Sequence, residues 1–178
     1  MSKVIVLGVT GGIAAYKSAA LCSKLTQAGY DVRVIMTENA DKFVTPLTFR
    51  TLSRNAVTTS LWDEPEWKPE HVAMANIADI FVTAPATANF IAKYANGIAD
   101  DALSTFAATF EGKSIIAPAM NPAMWNNVFV QKNVSVLKET GVNFCGPADG
   151  HVACGADGSG RMEEPQSIFA AIEKYFEK

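Results

Sequence analysis

Val4-Ile5-Val6-Leu7-Gly8-Val9-Thr10-Gly11-Gly12-Ile13-Ala14-Ala15-Tyr16-Lys17 sets the pattern for the whole chain. The unbroken apolar run at residues 4–7 is the mark of a strand buried on both faces. A glycine-rich turn follows. Beyond it Ala14, Leu21, Leu25 and Ala28 share one helical face until Gly29 stops the pattern. A strand, a glycine turn and a helix together present backbone N–H groups and a helix dipole to an anion. Gly8, Gly11 and Gly12 are therefore cofactor candidates. The same glycines also suit a tight turn that binds nothing, and both readings stand at this point. The spacing is neither G-x-G-x-x-G nor a Walker motif, which favours a mononucleotide over a dinucleotide.

The unit repeats down the chain. Apolar strands are predicted at residues 32–36, 79–84 and 114–117. Helices are predicted around residues 88–95, 101–110 and 124–140, with a last one at 166–176 after Pro165. Strands alternating with helices specify a parallel sheet with right-handed crossovers. The expected fold is α/β: a doubly wound, Rossmann-like (flavodoxin-like) sheet with helices on both faces. Residues 1–178 are read as one domain. Residues 63–70, with their acids, Pro65, Pro69 and Trp67, break any period and read as a loop.

Composition narrows the function. A chain of 178 residues, 49% of them hydrophobic, can fill one sizeable core. A net charge of -3 argues against nucleic acid or an anionic membrane, either of which favours a basic excess. The amino-terminal residues do not read as a secretory signal, and no apolar stretch is long enough to span a bilayer. Three scattered cysteines, Cys22, Cys145 and Cys154, suit neither a disulfide framework nor a metal site. A cytoplasmic protein is expected.

Candidate site residues cluster after the predicted strands, where open α/β sheets bind ligands. Thr37 follows the second strand. Thr87 and Asn89 follow Pro85, where they also suit helix N-caps. Asn121 is the polar member of Pro118-Ala-Met-Asn-Pro-Ala-Met-Trp125, a loop otherwise suited to packing. His71 precedes a short helix and suits either a surface position or a reactive one. Residues 148–165 hold four glycines between Gly150 and Gly160 and read as a flexible substrate flap carrying Cys154. A thiol in a polar flap differs from an inert buried one, which is how Cys22 and Cys145 read.

Taken together, these segments resemble the homo-oligomeric flavin-containing cysteine decarboxylases, over residues 4–165. Pro118–Trp125 matches the family's P-x-M-N-x-x-M-W motif at each fixed position. Ala153-Cys154-Gly155 with Gly160-Arg161-Met162 resembles the substrate flap of the branch acting on phosphopantothenoylcysteine. Phe90, Ala73 and Ile77 depart from the family's usual residues. The resemblance implies FMN as cofactor, contacted by Gly11, Gly12, Ile13, Thr37, Thr87, Ala88, Asn89 and Ala119. It implies Asn121, Met124, Ala153 and Met162 as substrate contacts, and His71 and Cys154 as catalytic. It further implies a homotrimer, or a dodecamer built of trimers, with FMN and substrate between subunits. A separate phosphopantothenoylcysteine synthetase is the expected pathway partner.

The implied chemistry is decarboxylation of 4'-phosphopantothenoylcysteine to 4'-phosphopantetheine in coenzyme A synthesis. It runs by thiol oxidation, loss of carbon dioxide to an enethiol, and re-reduction. Rival readings are a peptidyl-cysteine decarboxylase, a non-catalytic flavoprotein that regulates a partner, and an electron carrier of flavodoxin shape. The Ala-Cys-Gly flap and the presence of His71, Asn121 and Cys154 favour the first reading.

Overall fold

The computed structural model describes residues 2–62, 70–151, 155 and 157–177. The chain runs β1 (Val4–Val9), α1 (Ala15–Gln27), β2 (Asp31–Met36), α2 (Glu38–Asp41), α3 (Pro46–Ser53), β3 (Val57–Thr58), α4 (Glu70–Ile77), β4 (Ile80–Ala86), α5 (Ala88–Ala95) and α6 (Ala102–Thr109). It continues with β5 (Ser114–Pro118), α7 (Pro122–Trp125), α8 (Val128–Glu139), β6 (Asn143–Phe144), β7 (Ala148–His151), β8 (Asp157–Arg161) and α9 (Pro165–Phe176). Six strands form one parallel sheet in the order β3-β2-β1-β4-β5-β6. The two-residue edge strand β3 completes a Rossmann order; the remaining five have the flavodoxin order. Either way the direction of winding reverses between β1 and β4.

Alternation along each strand feeds two cores, as the unbroken apolar runs require. Ile5, Leu7 and Val9 of β1 join Val32, Val34, Ile80 and Val82 beneath α1, α3 and α9. Val6 and Phe81 face the other way, against Phe90 and Ile91 of α5, Leu103 and Phe106 of α6, and Val134 of α8. Gly8 belongs to this packing: a β-carbon there would meet Leu103 and Phe81. It lies inside β1, so its glycine is explained by close packing and not by a ligand.

The expected helix over residues 124–140 is two helices. Asn127 caps α8 through Oδ1, which accepts the Phe129 N–H at 2.9 Å, and the Gln131 amide donates to the Trp125 carbonyl at 2.5 Å. Asparagine side chains that bond the backbone compete with helix continuation, and Asn127 does so here. The chain near 148–165 forms an antiparallel ribbon, β7–β8. Its glycines permit close approach as well as bending. Gly160, at φ 156°, lies so near the Met120 carbonyl that any β-carbon would collide with it, and its own carbonyl accepts the Met120 N–H at 2.9 Å. Residues 63–69, predicted as a loop, lie outside the described residues, while Glu70 and His71 already belong to α4.

Asp101 opens α6 with a capping box. Its carboxylate accepts the Ser104 N–H at 2.8 Å and an ion pair from Lys93 at 2.7 Å. Burial alone would raise its pKa, but Lys93 and the Ser104 bonds outweigh burial and lower it. A lowered carboxyl pKa contributes stability above the unfolded-state value of about 3.9 that is lost as pH falls through the folded value. Asp101→Ala should cost about 1–2 kcal/mol at pH 7 in urea unfolding, and the gap to the parent should narrow as pH drops below about 4. A gap independent of pH would show that the carboxylate's charge does not contribute.

Candidate functional site at the switch point

A cleft of about 570 Å³ opens over the carboxyl edge of the sheet, where the winding reverses. That volume is in the usual range for a cofactor or small-molecule site. One wall is the turn after β1, with Gly11, Gly12, Ile13 and Ala14. A second is the start of α5, with Thr87 and Ala88. A third is the loop after β5, with Ala119, Met120, Asn121 and Met124. The ribbon closes the fourth side with Gly160, Arg161 and Met162.

Thr10 holds the first two walls in register. Its hydroxyl, almost fully buried, donates to the Pro85 carbonyl at 2.7 Å and accepts the Thr87 N–H at 3.0 Å. Thr87 in turn caps α5, accepting the Phe90 N–H at 3.3 Å, so the capping and lining roles coincide. Gly11 is glycine because α2 packs beneath it: a β-carbon would strike Asn39. The third wall is set by Asn121, whose Oδ1 caps α7 by accepting the Ala123 N–H at 2.8 Å.

Several features of the first wall call for an anionic ligand. Helix α1 begins at an N-cap alanine with no side-chain cap, so its opening N–H groups have no side-chain acceptor from that position. The Thr37 hydroxyl, at the end of β2, is buried without a partner among the described residues. Thr37 abuts β1 through its N–H to the Val9 carbonyl at 3.0 Å and opens α2, the helix under Gly11. The glycine turn leading into α1 is the cleft's backbone-rich wall and suits a phosphate, with Thr37 behind it, and the side chains of Ile13, Tyr16 and Met124 at the rim fit a flat aromatic ring.

Of the sequence candidates, Gly11, Gly12, Ile13, Thr87, Ala88, Ala119, Asn121, Met124 and Met162 line the cleft. Thr37 and Asn89 do not line it; Asn89 is exposed on the first turn of α5. Half-buried His71 is on the first turn of α4, which packs against α6, and it does not line the cleft of its own chain. Ala153 and Cys154 lie outside the described residues. Thr10, Tyr16, Lys17, Arg161 and Glu164 are site or site-shaping residues that sequence reasoning gave no role. Lys17 carried one signal. A cation in the first turn of a helix opposes the helix dipole, so it calls for a partner elsewhere. Among the described residues there is no metal-type cluster, and no helix long and apolar enough to cross a membrane.

A two-core parallel sheet with a mononucleotide-sized, phosphate-ready cleft at its switch point defines a nucleotide-cofactor protein of the α/β class. Residues 1–177 match the Flavoprotein family, and the chain belongs to it. It is 49% identical over 173 residues to the coenzyme A biosynthesis bifunctional protein CoaBC of Bacillus subtilis (strain 168), matching 97% of this chain and 43% of that protein. The chain thus spans less than half the length of the CoaBC relatives it matches. It is 40% identical over 177 residues to a probable phosphopantothenoylcysteine decarboxylase of Streptococcus mutans, matching 98% of this chain and 99% of that one. Among solved structures, a Cys-to-Ser mutant of PPC decarboxylase complexed with pantothenoylaminoethenethiol superimposes with a TM-score of 0.89 at 28% identity over 100% of both chains. The FMN-dependent cysteine decarboxylase SpaF gives a TM-score of 0.82 at 32% identity, covering 97% of this chain and 96% of that one.

The orphaned hydroxyl provides the test. Thr37→Val removes it at nearly constant volume and should leave the flavin-free protein as stable as before, or slightly more so. Affinity for FMN, measured by fluorescence quenching, should fall about tenfold, as for one hydrogen bond to an ionised group. Unchanged FMN affinity would separate Thr37 from the cofactor.

Proposed function

We propose that the chain binds FMN and decarboxylates 4'-phosphopantothenoylcysteine to 4'-phosphopantetheine. The observation that carries this reading is a convergence. The Pro118–Trp125 motif and the Gly160-Arg161-Met162 segment, far apart in sequence, meet the glycine turn on one cleft. The likeness to a decarboxylase of matching length supports it. FMN is favoured over a dinucleotide by a glycine turn that lacks the G-x-G-x-x-G spacing.

Once bound, FMN supplies the two-electron sink that converts the substrate's thiol-bearing carbon to a thioaldehyde and later returns the electrons. The C=S group is β to the carboxylate, so carbon dioxide leaves and an enethiolate remains. Asn121, at the edge of the cleft, orients the substrate's carboxylate away from water. Met124 and Met162 pack along the substrate. His71 serves the reacting centre as base or electrostatic partner. Since His71 does not line its own cleft, it acts at the cleft of a neighbouring copy. A homotrimer, or a dodecamer of trimers, meets that need. The exposed side chains of Val128 and Phe129, 71% and 73% accessible, are apolar surface suited to such contacts. Cys154 donates the proton that turns the enethiol carbon back into a hydride-accepting C=S. The bifunctional relatives point to a synthetase that makes the substrate as the pathway partner, and the site of action is the cytoplasm.

The experiment is turnover by the flavin-loaded protein of 4'-phosphopantothenoylcysteine beside a cysteine-ending peptide. Asn121→Asp keeps the α7 cap, because aspartate caps equally well, but places two carboxylates together in a poorly hydrated cleft. It should retain flavin and lose carbon dioxide release by a factor of a thousand or so, on the order of 4 kcal/mol. His71→Asn should do likewise. Cys154→Ser should release carbon dioxide once and accumulate the enethiol, because serine is a far weaker acid than a thiol of pKa about 8.5. Preference for the peptide would transfer the chain to the peptidyl-cysteine class. Normal turnover by either of the first two variants would remove that residue from the mechanism.

A further inference from the structure

Lys17 and Arg161 are the two cations lining the cleft among the described residues, and both bind one carboxylate, that of Glu164. Lys17 Nζ donates to Glu164 Oε1 at 2.9 Å and to the Met162 carbonyl at 3.2 Å, and its side chain is only 11% exposed. Arg161 donates through Nη2 to the same Oε1. These bonds, Lys17's first, hold the Glu164 carboxyl below its usual range. The cluster therefore keeps a net charge of +1 on a protein whose net charge is -3.

The two cations are not equivalent. Lys17 is buried and committed twice, which makes it an anchor for the β8–α9 junction. Arg161 is 44% exposed; its Nη2 is bonded to Glu164 and its Nη1 lies close to Gly150 of β7, and the exposed part of its five-donor fork is open to a ligand at the cleft rim. Glu164 holds the guanidinium at the rim, and Lys17 holds Glu164.

We propose that Arg161, positioned by the Lys17–Glu164 pair, is the cleft's reader of a phosphate monoester. Planar bidentate recognition of phosphate is what an arginine fork does best. Two molecules bring such a group to the cleft: FMN, and a substrate ending in a phosphate. The substrate is the better match. The glycine turn Gly11-Gly12 before α1 already suits one phosphate on the first wall, whereas Arg161 lies on the ribbon with Met162, across the cleft. The assignment to substrate rests on the proposed function; the assignment to a phosphate monoester does not.

The test is equilibrium binding to the flavin-loaded protein of 4'-phosphopantetheine against pantetheine, and to the flavin-free protein of FMN against riboflavin. The parent protein should prefer 4'-phosphopantetheine by about tenfold or more, as for charge-assisted hydrogen bonds. Arg161→Gln should abolish that preference, Arg161→Lys should restore part of it, and pantetheine affinity should not change. If Arg161→Gln instead abolishes the preference for FMN over riboflavin, the reader stands and its phosphate is the cofactor's. If the parent binds neither pantetheine form while Arg161 still governs the flavin pair, the proposed substrate fails and the phosphate site survives. Both preferences persisting in Arg161→Gln, or the parent showing neither, overturns the inference.

Discussion

The buried hydroxyl of Thr10 joins the two halves of the molecule where they diverge. Chains that wind outward in both directions from β1 and β4 leave a gap at the reversal point. Thr10 spans it by donating to Pro85 and accepting from Thr87. Because the hydroxyl is nearly inaccessible to water, losing either partner leaves a polar group stranded, at a cost of about 1–3 kcal/mol. The bond therefore fixes how far the glycine turn stands from the start of α5, which is the width of the cleft. The other walls are built on that spacing: Asn121 is set by its own cap, and Gly160 brings the ribbon against Met120.

Polar satisfaction separates structure from function around this cleft. Thr10, Thr87 and Asn121 all have backbone partners that explain their placement, local ones for Thr87 and Asn121 and distant ones for Thr10. Thr37 has none among the described residues, and Arg161 has a carboxylate partner that engages a fraction of its donors. A buried hydroxyl without a partner is costly unless something else binds it, whereas the half-exposed guanidinium keeps its remaining donors in water until a ligand displaces it. Arg161 lines the cleft, and Thr37 lies behind its glycine wall.

The sheet was legible because burial on both faces writes strands as continuous apolar runs. Val4-Ile5-Val6-Leu7 and Ile80-Phe81-Val82 leave little alternative. Helices α1, α5, α6 and α9 were legible from their period and their stops. The single helix expected over residues 124–140 is split because the Asn127 side chain bonds the backbone and starts a new helix, which a hydrophobic count does not register. The ribbon was missed as structure because glycine signals bending and close approach alike, and only a neighbour such as Met120 decides between them. Position after a strand end singled out Gly11, Gly12, Thr87 and Asn121, which line the cleft, but also Thr37 and Asn89, which do not. Thr10, Lys17 and Glu164 could not be read, because their roles depend on partners 75 to 147 positions away, and Arg161 acquires its place only through Glu164. His71 was legible as a residue type, but its absence from its own cleft is a fact of three dimensions.

The central claim is that the cleft between the Thr10–Gly12 turn and the Asn121 loop holds flavin and substrate together. A crystal structure of the protein loaded with FMN and 4'-phosphopantothenoylcysteine tests it directly. Flavin beside Gly11, Gly12 and Thr87, with the substrate carboxylate on the Asn121 amide, is the expected result. Flavin bound at another edge of the sheet, or a substrate carboxylate remote from Asn121, would contradict it.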